Sequence, residues 1–444
     1  MILRWCVVLG LLLIAGCAPQ PIRFERWRLP EVPSDKGVAL GARMEIVERE
    51  LFERCLSPEG LLWYRRPVEP HPRRGAYLDL ADQACWSGYL FAGLVFQDRL
   101  TGSAEARARV VTVLEGLEFL ERVTGVPGLF GRCVAPSEKV GDLAHHPETW
   151  WPAAGVPGYS YRSDVSKDQY AGMIFGLAVG AVELEPGSLR DRCRSYLVRC
   201  ARHVLDGDFR IRDARGEVTR FGDVRGRIFG LPIGVNSSIS LALMRAAVRF
   251  ADDEALRARA AEATESLVGS LTPLHVEFLG IRNYSNALMS GVSMASLFCL
   301  ETDPKLRAVY QAATLDFLED FEGEGNAFFV SLGRLGGLQD RTEERRALRN
   351  LYTAPTELAI RELPDRFDGL SRRWIPSRKG RPRTREALPL AVRPPTSFRW
   401  RSDPYLVDLK LSADGGLQVS GVDLFCAYWF GCATGWIPCA PSGP

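Results

Sequence analysis

The chain has 444 residues, 46% hydrophobic and 25% charged, and 56 Lys and Arg against 54 Asp and Glu leave a net charge of +2. This is ordinary globular composition with ample material for a core. The balance of charge, with no basic stripe interleaved with aromatics, argues against a nucleic-acid partner.

The first segment, MILRWCVVLGLLLIAGCAPQ, places Arg4 ahead of an apolar stretch from about Trp5 to Gly16. A bilayer span needs about 20 apolar residues, so this stretch has the proportions of a secretory signal. Its end, Ile14-Ala15-Gly16-Cys17, resembles the lipobox of bacterial lipoproteins. That resemblance implies removal of residues 1–16 and lipidation of Cys17. Ala18, where an Asp would signal retention, implies by analogy the outer membrane. The Pro-rich, aperiodic stretch 17–36 then reads as a tether. Residues 37–444 read as one soluble domain held to the membrane through its N-terminal lipid anchor.

Eleven cysteines are present. Cys6 leaves with the signal and Cys17 takes the lipid, so nine remain: Cys55, Cys85, Cys133, Cys193, Cys200, Cys299, Cys426, Cys432 and Cys439. An exported location permits disulfides, and the odd count leaves at least one thiol unpaired. Cys193 and Cys200 fall two turns apart on one predicted helix, roughly 10 Å by helix rise, too far to bridge each other. No C-x-x-C occurs, which argues against a zinc or redox site. No metal and no cofactor is expected.

Four segments repeat one pattern: a Gly/Ala/Ser-rich apolar helix, a tight turn and a charged amphipathic helix. They begin at ADQACWSG, KDQYAGMI, VNSSISLA and YSNALMSG. Gly102 suits the left-handed position after a helix. Ser103 and Ser188 suit caps, and Pro304 suits a first turn. In the second helix of each pair, apolar residues recur at helical spacing, as in Val110, Val113, Leu114, Leu117 and Leu120. The first helix is apolar nearly all round, which predicts burial. Further helices are predicted at about Gly37–Cys55, Glu343–Leu363 and Val422–Thr434, giving eleven or twelve. The sum predicts an all-α (α/α)6 toroid; an open superhelix is the alternative, and the more apolar inner helices favour closure.

Turns within the hairpins are short, whereas links between them are long: about Gly125–Val165, Gly207–Gly234, Thr272–Asn283 and Gly323–Thr342. Helices in a toroid alternate in direction, so the long loops share one face with the N-termini of the inner helices. Function usually sits on such loops. Asp82-Gln83, Ser166-Lys167-Asp168-Gln169, Asn236-Ser237-Ser238 and Asn283-Tyr284-Ser285-Asn286 therefore converge on one mouth. Ser166-x-x-Gln169 also fits a capping box. That leaves Asp164 and Asp168 as surplus carboxylates, with Asp82 at the matching place in the first hairpin.

The loop Gly125–Val165 carries Arg132, His145, His146, Trp150, Trp151, Tyr159, Tyr161 and Arg162. Exposed aromatics stack on sugar rings, and Arg pairs with carboxylates; the Trp pair could equally plug the ring. His145-His146 lacks partners at metal spacing. The basic, Pro-rich run Ser371–Asp403 is predicted to cross over the mouth, and Asp423 to open a closing inner helix.

Together, DQACWSG, TGVPGLFGR, YSYRSDVSKDQYAG, YSNAL and DLFCAYWFG resemble the six-hairpin glycosidase-like class, in particular the unsaturated glucuronyl hydrolases. The resemblance covers about Gly37 to Trp436 as helix pattern. It implies two functional aspartates at the mouth, falling here on Asp82 and Asp168. This chain has Asp-Gln where those enzymes have other local sequence.

The leading expectation is hydrolysis of a cell-envelope or environmental polysaccharide, including one with uronic acids. Asp168 would be general acid/base, Asp82 its partner and Asp164 the reserve. Gln83, Gln169, Arg132, His145, His146, Trp150, Trp151, Tyr161 and Asn286 would contact the carbohydrate. The alternatives are a lyase, with Tyr159, Tyr161 or His145 as base and Arg132 or Asn286 as neutraliser, and a non-catalytic glycan-binding lipoprotein.

Overall fold

The computed structural model describes residues 36–63, 65–67, 80–143, 147–274, 282–356, 387–390, 393, 399–405 and 417–439. The leader, Cys17 and most of the tether lie outside the described residues, as do His145 and His146.

Among the described residues, twelve helices alternate between an outer and an inner layer. The outer ones are α1 (Lys36–Arg54), α3 (Ala104–Arg122), α5 (Ser188–Asp206), α7 (Glu254–Val268), α9 (Pro304–Glu319) and α11 (Arg341–Thr353). The inner ones are α2 (Gln83–Thr101), α4 (Lys167–Glu183), α6 (Gly234–Phe250), α8 (Tyr284–Leu300), α10 (Ala327–Leu335) and α12 (Val422–Ala433). Each inner helix packs on the next, and α12 packs on both α10 and α2. The ring is closed: this is an all-α (α/α)6 toroid, and the open superhelix is excluded.

Local signals set the helix ends. Gly102 ends α2 in the left-handed conformation, and the Ser103 hydroxyl accepts from the Ala106 N–H. Asp253, Asp303, Asn326 and Asp340 cap α7, α9, α10 and α11 through their side chains. Ser188 does not cap α5; it is the first helical residue, and Gly187 precedes it.

One helix was hidden in the pattern. Gly323–Thr342 reads as a long loop, but it contains α10, only nine residues long. Its glycine-rich flanks and shortness obscure the helical period, yet without it the ring would lack its fifth inner wall.

The centre is filled rather than open. Tyr89, Phe175, Phe328 and Phe430, from four different inner helices, interlock; Phe328 and Phe430 lie 5.2 Å apart and Phe175 and Phe328 5.7 Å apart. Such aromatic pairs add to the burial that drives the ring together. Below the mouth the toroid is therefore a core, not a pore.

The long loops form small antiparallel sheets on the face where the inner helices start. β2 (Val134–Pro136), β4 (Tyr159–Arg162) and β3 (Trp150–Pro152) make a three-stranded sheet. β5 (Arg210–Arg212) pairs β6 (Val218–Asp223), and β7 (Arg227–Ile228) pairs β8 (Leu231–Pro232). β1 (Arg65–Pro67) pairs β9 (Leu417–Val419). No helix among the described residues is long and apolar enough to cross a membrane.

Candidate active site at the ring mouth

Side-chain bonds around the rim join the inner-helix N-termini. Asp82 stands at the N-cap position of α2 without capping it. Its Oδ1 instead accepts from Arg132 Nη2 and from Gln169 Nε2, each at 2.9 Å. Gln169, in the first turn of α4, uses its other end to accept from the Ser166 N–H at 2.8 Å and hydroxyl at 2.6 Å. So Gln169 does more than start its helix: it couples the cap of α4 to the carboxylate of α2. Lys167 Nζ donates to Asn236 Oδ1 at 3.1 Å, linking α4 to α6.

Arg132 is the hub. Its Nε donates to the Ala81 carbonyl, and Nη1 donates to the Asp164 carbonyl at 3.3 Å. The Asp164 carboxylate also pairs with Arg162 at 2.8 Å. Burial works to lower the Arg132 pKa, but Asp82 and Asp164 outweigh it and raise it.

The run ending at Asp403 contributes from the far end of the chain. Arg399 clasps the buried Asp423 with both carboxylate oxygens at 3.0 Å. The Trp400 indole donates to the Asp423 carbonyl at 2.7 Å, and the Trp400 carbonyl accepts from Asn326 at 3.2 Å. Arg401 lies 5.0 Å above the Trp86 ring and 3.6 Å from Asp82 Oδ2. The described part of this segment thus bridges α12, α10 and α2 across the mouth. Asp423 serves that anchorage.

Asp168 differs from every other carboxylate here. It is half-buried in the first turn of α4 and makes no hydrogen bond or ion pair with any described residue. Burial raises its pKa, and the Asp82 charge raises it further; Arg132, Lys167 and Arg401 pull the other way. Burial also lowers the pKa of the neighbouring Lys167, whose ammonium has no carboxylate within ion-pair distance among the described residues. The mouth therefore holds one caged carboxylate, Asp82, and one carboxyl without a partner among the described residues whose pKa is raised.

The other expected contacts are placed as follows. Gln83 is buried, with its Oε1 taken by the Val134 N–H at 3.0 Å. Trp150 packs on a small cluster of Trp63, Leu80, Cys133 and Ala135. Trp151 faces the other way, edge-on to buried Tyr161, with the Arg215 guanidinium 4.0 Å over its ring. The Trp pair is thus loop packing, and it does not plug the ring. Tyr159 donates to Glu59 at 3.1 Å. Asn286 is half-buried, its N–H taken by the Asn283 side chain.

Three contributors, Trp86, Lys167 and Arg401, were not singled out by the sequence. Lys167 sits inside the quoted cluster; Arg401 lies so far along the chain that no spacing rule joins it to Asp82.

A second buried acid, Glu324, sits where α8 and α10 begin. It accepts from the Tyr284 hydroxyl at 2.7 Å and faces Arg282 at 3.6 Å. Burial pushes its pKa up to about 7. A cleft of about 400 Å³ between α9, α10 and α11, floored by Leu318, Phe329 and Leu338, lies on the flank of the ring, apart from the Asp82–Asp168 pair. Among the described residues no group of three or more His, Cys, Asp or Glu is placed to hold a metal.

No family model matches the chain, and no curated protein does. Among solved structures it is similar to the crystal structure of a family 76 glycoside hydrolase from a bovine Bacteroides thetaiotaomicron strain. The identity is 12%, covering 72% of this chain and 77% of that chain, with a TM-score of 0.28. A likeness of that size carries nothing about activity.

Proposed function

We propose that the protein is a glycoside hydrolase acting on a cell-envelope or environmental polysaccharide. The observation that carries this is the unequal carboxyl pair: Asp168, free and raised in pKa, beside Asp82, caged by Arg132, Gln169 and Arg401. Hydrolysis of a glycosidic bond uses two such groups, one protonated and one charged. Asp168 serves as general acid, giving its proton to the departing sugar oxygen and taking one back from water. Asp82 orients that water or the sugar, and Arg132 holds it in place. Lys167 and Arg401 line the approach, and buried Trp86 supports Arg401 from below.

Hydrolysis is favoured over lyase chemistry by the tyrosines. A base needs an accessible hydroxyl that ionises readily. Burial raises Tyr161, and burial together with Glu59 raises Tyr159. The Cys432–Cys439 disulfide suits an exported protein, in keeping with lipidation of Cys17.

The test is a glycan-digestion screen of wild type beside Asp168→Asn and Asp82→Asn. New reducing ends from wild type alone, without absorbance at 235 nm, support the reading. A 235 nm product, or full activity in Asp168→Asn, overturns it. Detergent partitioning of Cys17→Ser into the aqueous phase, with wild type in the detergent phase, checks the anchor.

A further inference from the structure

The connection between α5 and α6 carries four of the eight large apolar side chains that stand exposed among the described residues: Val218, Phe221, Phe229 and Leu231. Phe229 is 100% exposed, Leu231 67% and Phe221 52%. Phe229 and Gly230 form the two-residue turn between β7 and β8, at φ of 50° and 78°. Such a turn favours Asn, Asp or Gly at its first position, because a bulkier side chain crowds the left-handed backbone. A phenylalanine there gains neither burial nor a relaxed backbone. What it gains must come from outside the fold.

The same connection carries four cations without acid partners, one of them, Arg227, in the hairpin itself. Arg212 donates to the Gly216 carbonyl, and Arg227 to those of Gly230 and Gly269. Arg215 lies over Trp151, and Arg220 lies 5.0 Å over Phe221. None of these four pairs with a carboxylate among the described residues, whereas Arg210 and Arg225 pair with Asp208 and Asp223. Exposed aromatic and aliphatic side chains on a connection whose four guanidiniums lack a carboxylate among the described residues fit the interface of an anionic bilayer. There the apolar tips enter the acyl boundary and the cations meet headgroup phosphates. A sugar polymer would use the aromatic faces but gains little from Leu231 and Val218.

We propose that the β7–β8 hairpin is a docking tip that turns the mouth side of the ring toward an anionic lipid surface. The hairpin leads directly into the N-terminus of α6, so it stands on the mouth face. α1 begins on the opposite face, because outer helices run toward the mouth. Residues 18–35 can span about 60 Å when extended. The 19-residue α1, which sets the ring height, is about 28 Å long. A chain anchored at Cys17 can therefore present either face to the bilayer, and the hairpin selects the mouth.

The test uses the full chain with Phe229→Trp, which keeps an aromatic at the tip and adds a fluorophore. Thr302→Trp, in the exposed turn between α8 and α9 on the opposite face, is the control. Each is mixed with brominated phosphatidylcholine vesicles, with or without phosphatidylglycerol. The expected result is loss of the extra emission of Phe229→Trp on anionic vesicles, weaker loss on neutral ones, and none for Thr302→Trp. Adding Arg215→Gln and Arg220→Gln should reduce the anionic preference. Quenching of Thr302→Trp alone, or no response of Phe229→Trp to anionic vesicles, overturns the proposal. A blue shift of Phe229→Trp with polygalacturonate, absent with vesicles, also overturns it and reassigns the tip to an acidic polysaccharide. None of these readouts depends on glycosidase activity.

Discussion

Gly88 and Gly172 let α2 and α4 meet backbone to backbone one to two turns below Asp82 and Asp168. A Cβ added at Gly88 would stand 2.2 Å from the Gly172 carbonyl oxygen and 2.5 Å from its carbon. Ordinary contact starts at 3.4 Å, so the deficit is about 1.2 Å. Both neighbours are backbone and cannot swing aside, so the helices must part. Overpacking of this kind costs about 1–3 kcal/mol, and the upper end applies here. Alanine returns about 1 kcal/mol of helix propensity. The net for Gly88→Ala is a loss of about 2 kcal/mol. Gly41→Ala is the matched control: it is also inside a helix, but its Cβ meets only the Tyr428 hydroxyl at 3.6 Å. It should gain up to about 1 kcal/mol. At ~2.1 cal/mol/K per residue, 2 kcal/mol moves the Tm of a domain this size by about 2–3 °C. The assay is thermal and urea unfolding of both variants. Parting the helices also stretches the Asp82–Gln169 bond between them, so Gly88→Ala should lose more activity than stability. Equal stability of the two variants would refute the backbone-contact argument.

Three further outcomes are expected. Because folding raises the Asp168 pKa, its charged form opposes folding above the unfolded carboxylate range, near ~4. Asp168→Asn should therefore be more stable than wild type at pH 7, with the gain vanishing at acid pH; Tm against pH for both proteins checks this. Glu324, raised to about 7, likewise withdraws stability as pH climbs from its unfolded value of 4.5 through 7, by about 3 kcal/mol in all. Glu324→Gln should flatten that part of the stability profile in urea titrations, and an unchanged slope would contradict it. Arg132→Ala leaves Asp82 with only Gln169 and Arg401 among the described residues, and removes the charge-assisted bond from Arg132, at a loss of about 2 kcal/mol. Arg132→Lys should recover little, because Nε, Nη1 and Nη2 each serve a different acceptor; unfolding midpoints of the two variants test this.

In four of the hairpins the paired helices, their layers and the face that carries the long loops were legible in the residues. Apolar periodicity, Gly102, Ser103 and Pro304 act within a turn or two of themselves. Hydrogen bonds that close a helix span only four residues. The one helix that escaped, α10, is too short and too glycine-flanked to show a period. Asp82, Asp164 and Asp168 were identifiable as carboxylates at the mouth, because helix starts and loop lengths placed them there.

What each of those aspartates does was decided only in three dimensions. Asp82 is caged by Arg132, 50 residues away, and by Gln169, 87 away. Arg401 reaches it from beyond a stretch no local rule could route. Asp423, alike by position, is spent on Arg399, and Asp168 has no partner among the described residues. The Trp pair packs because adjacent residues on a strand face opposite sides, a fact that waits on the sheet being formed. Partners of a loop side chain depend on the course of every loop above the ring, and that course is fixed by packing rather than by spacing. The sequence by itself determined a ring of helices with acids at its mouth; the tertiary structure determined which acid is free.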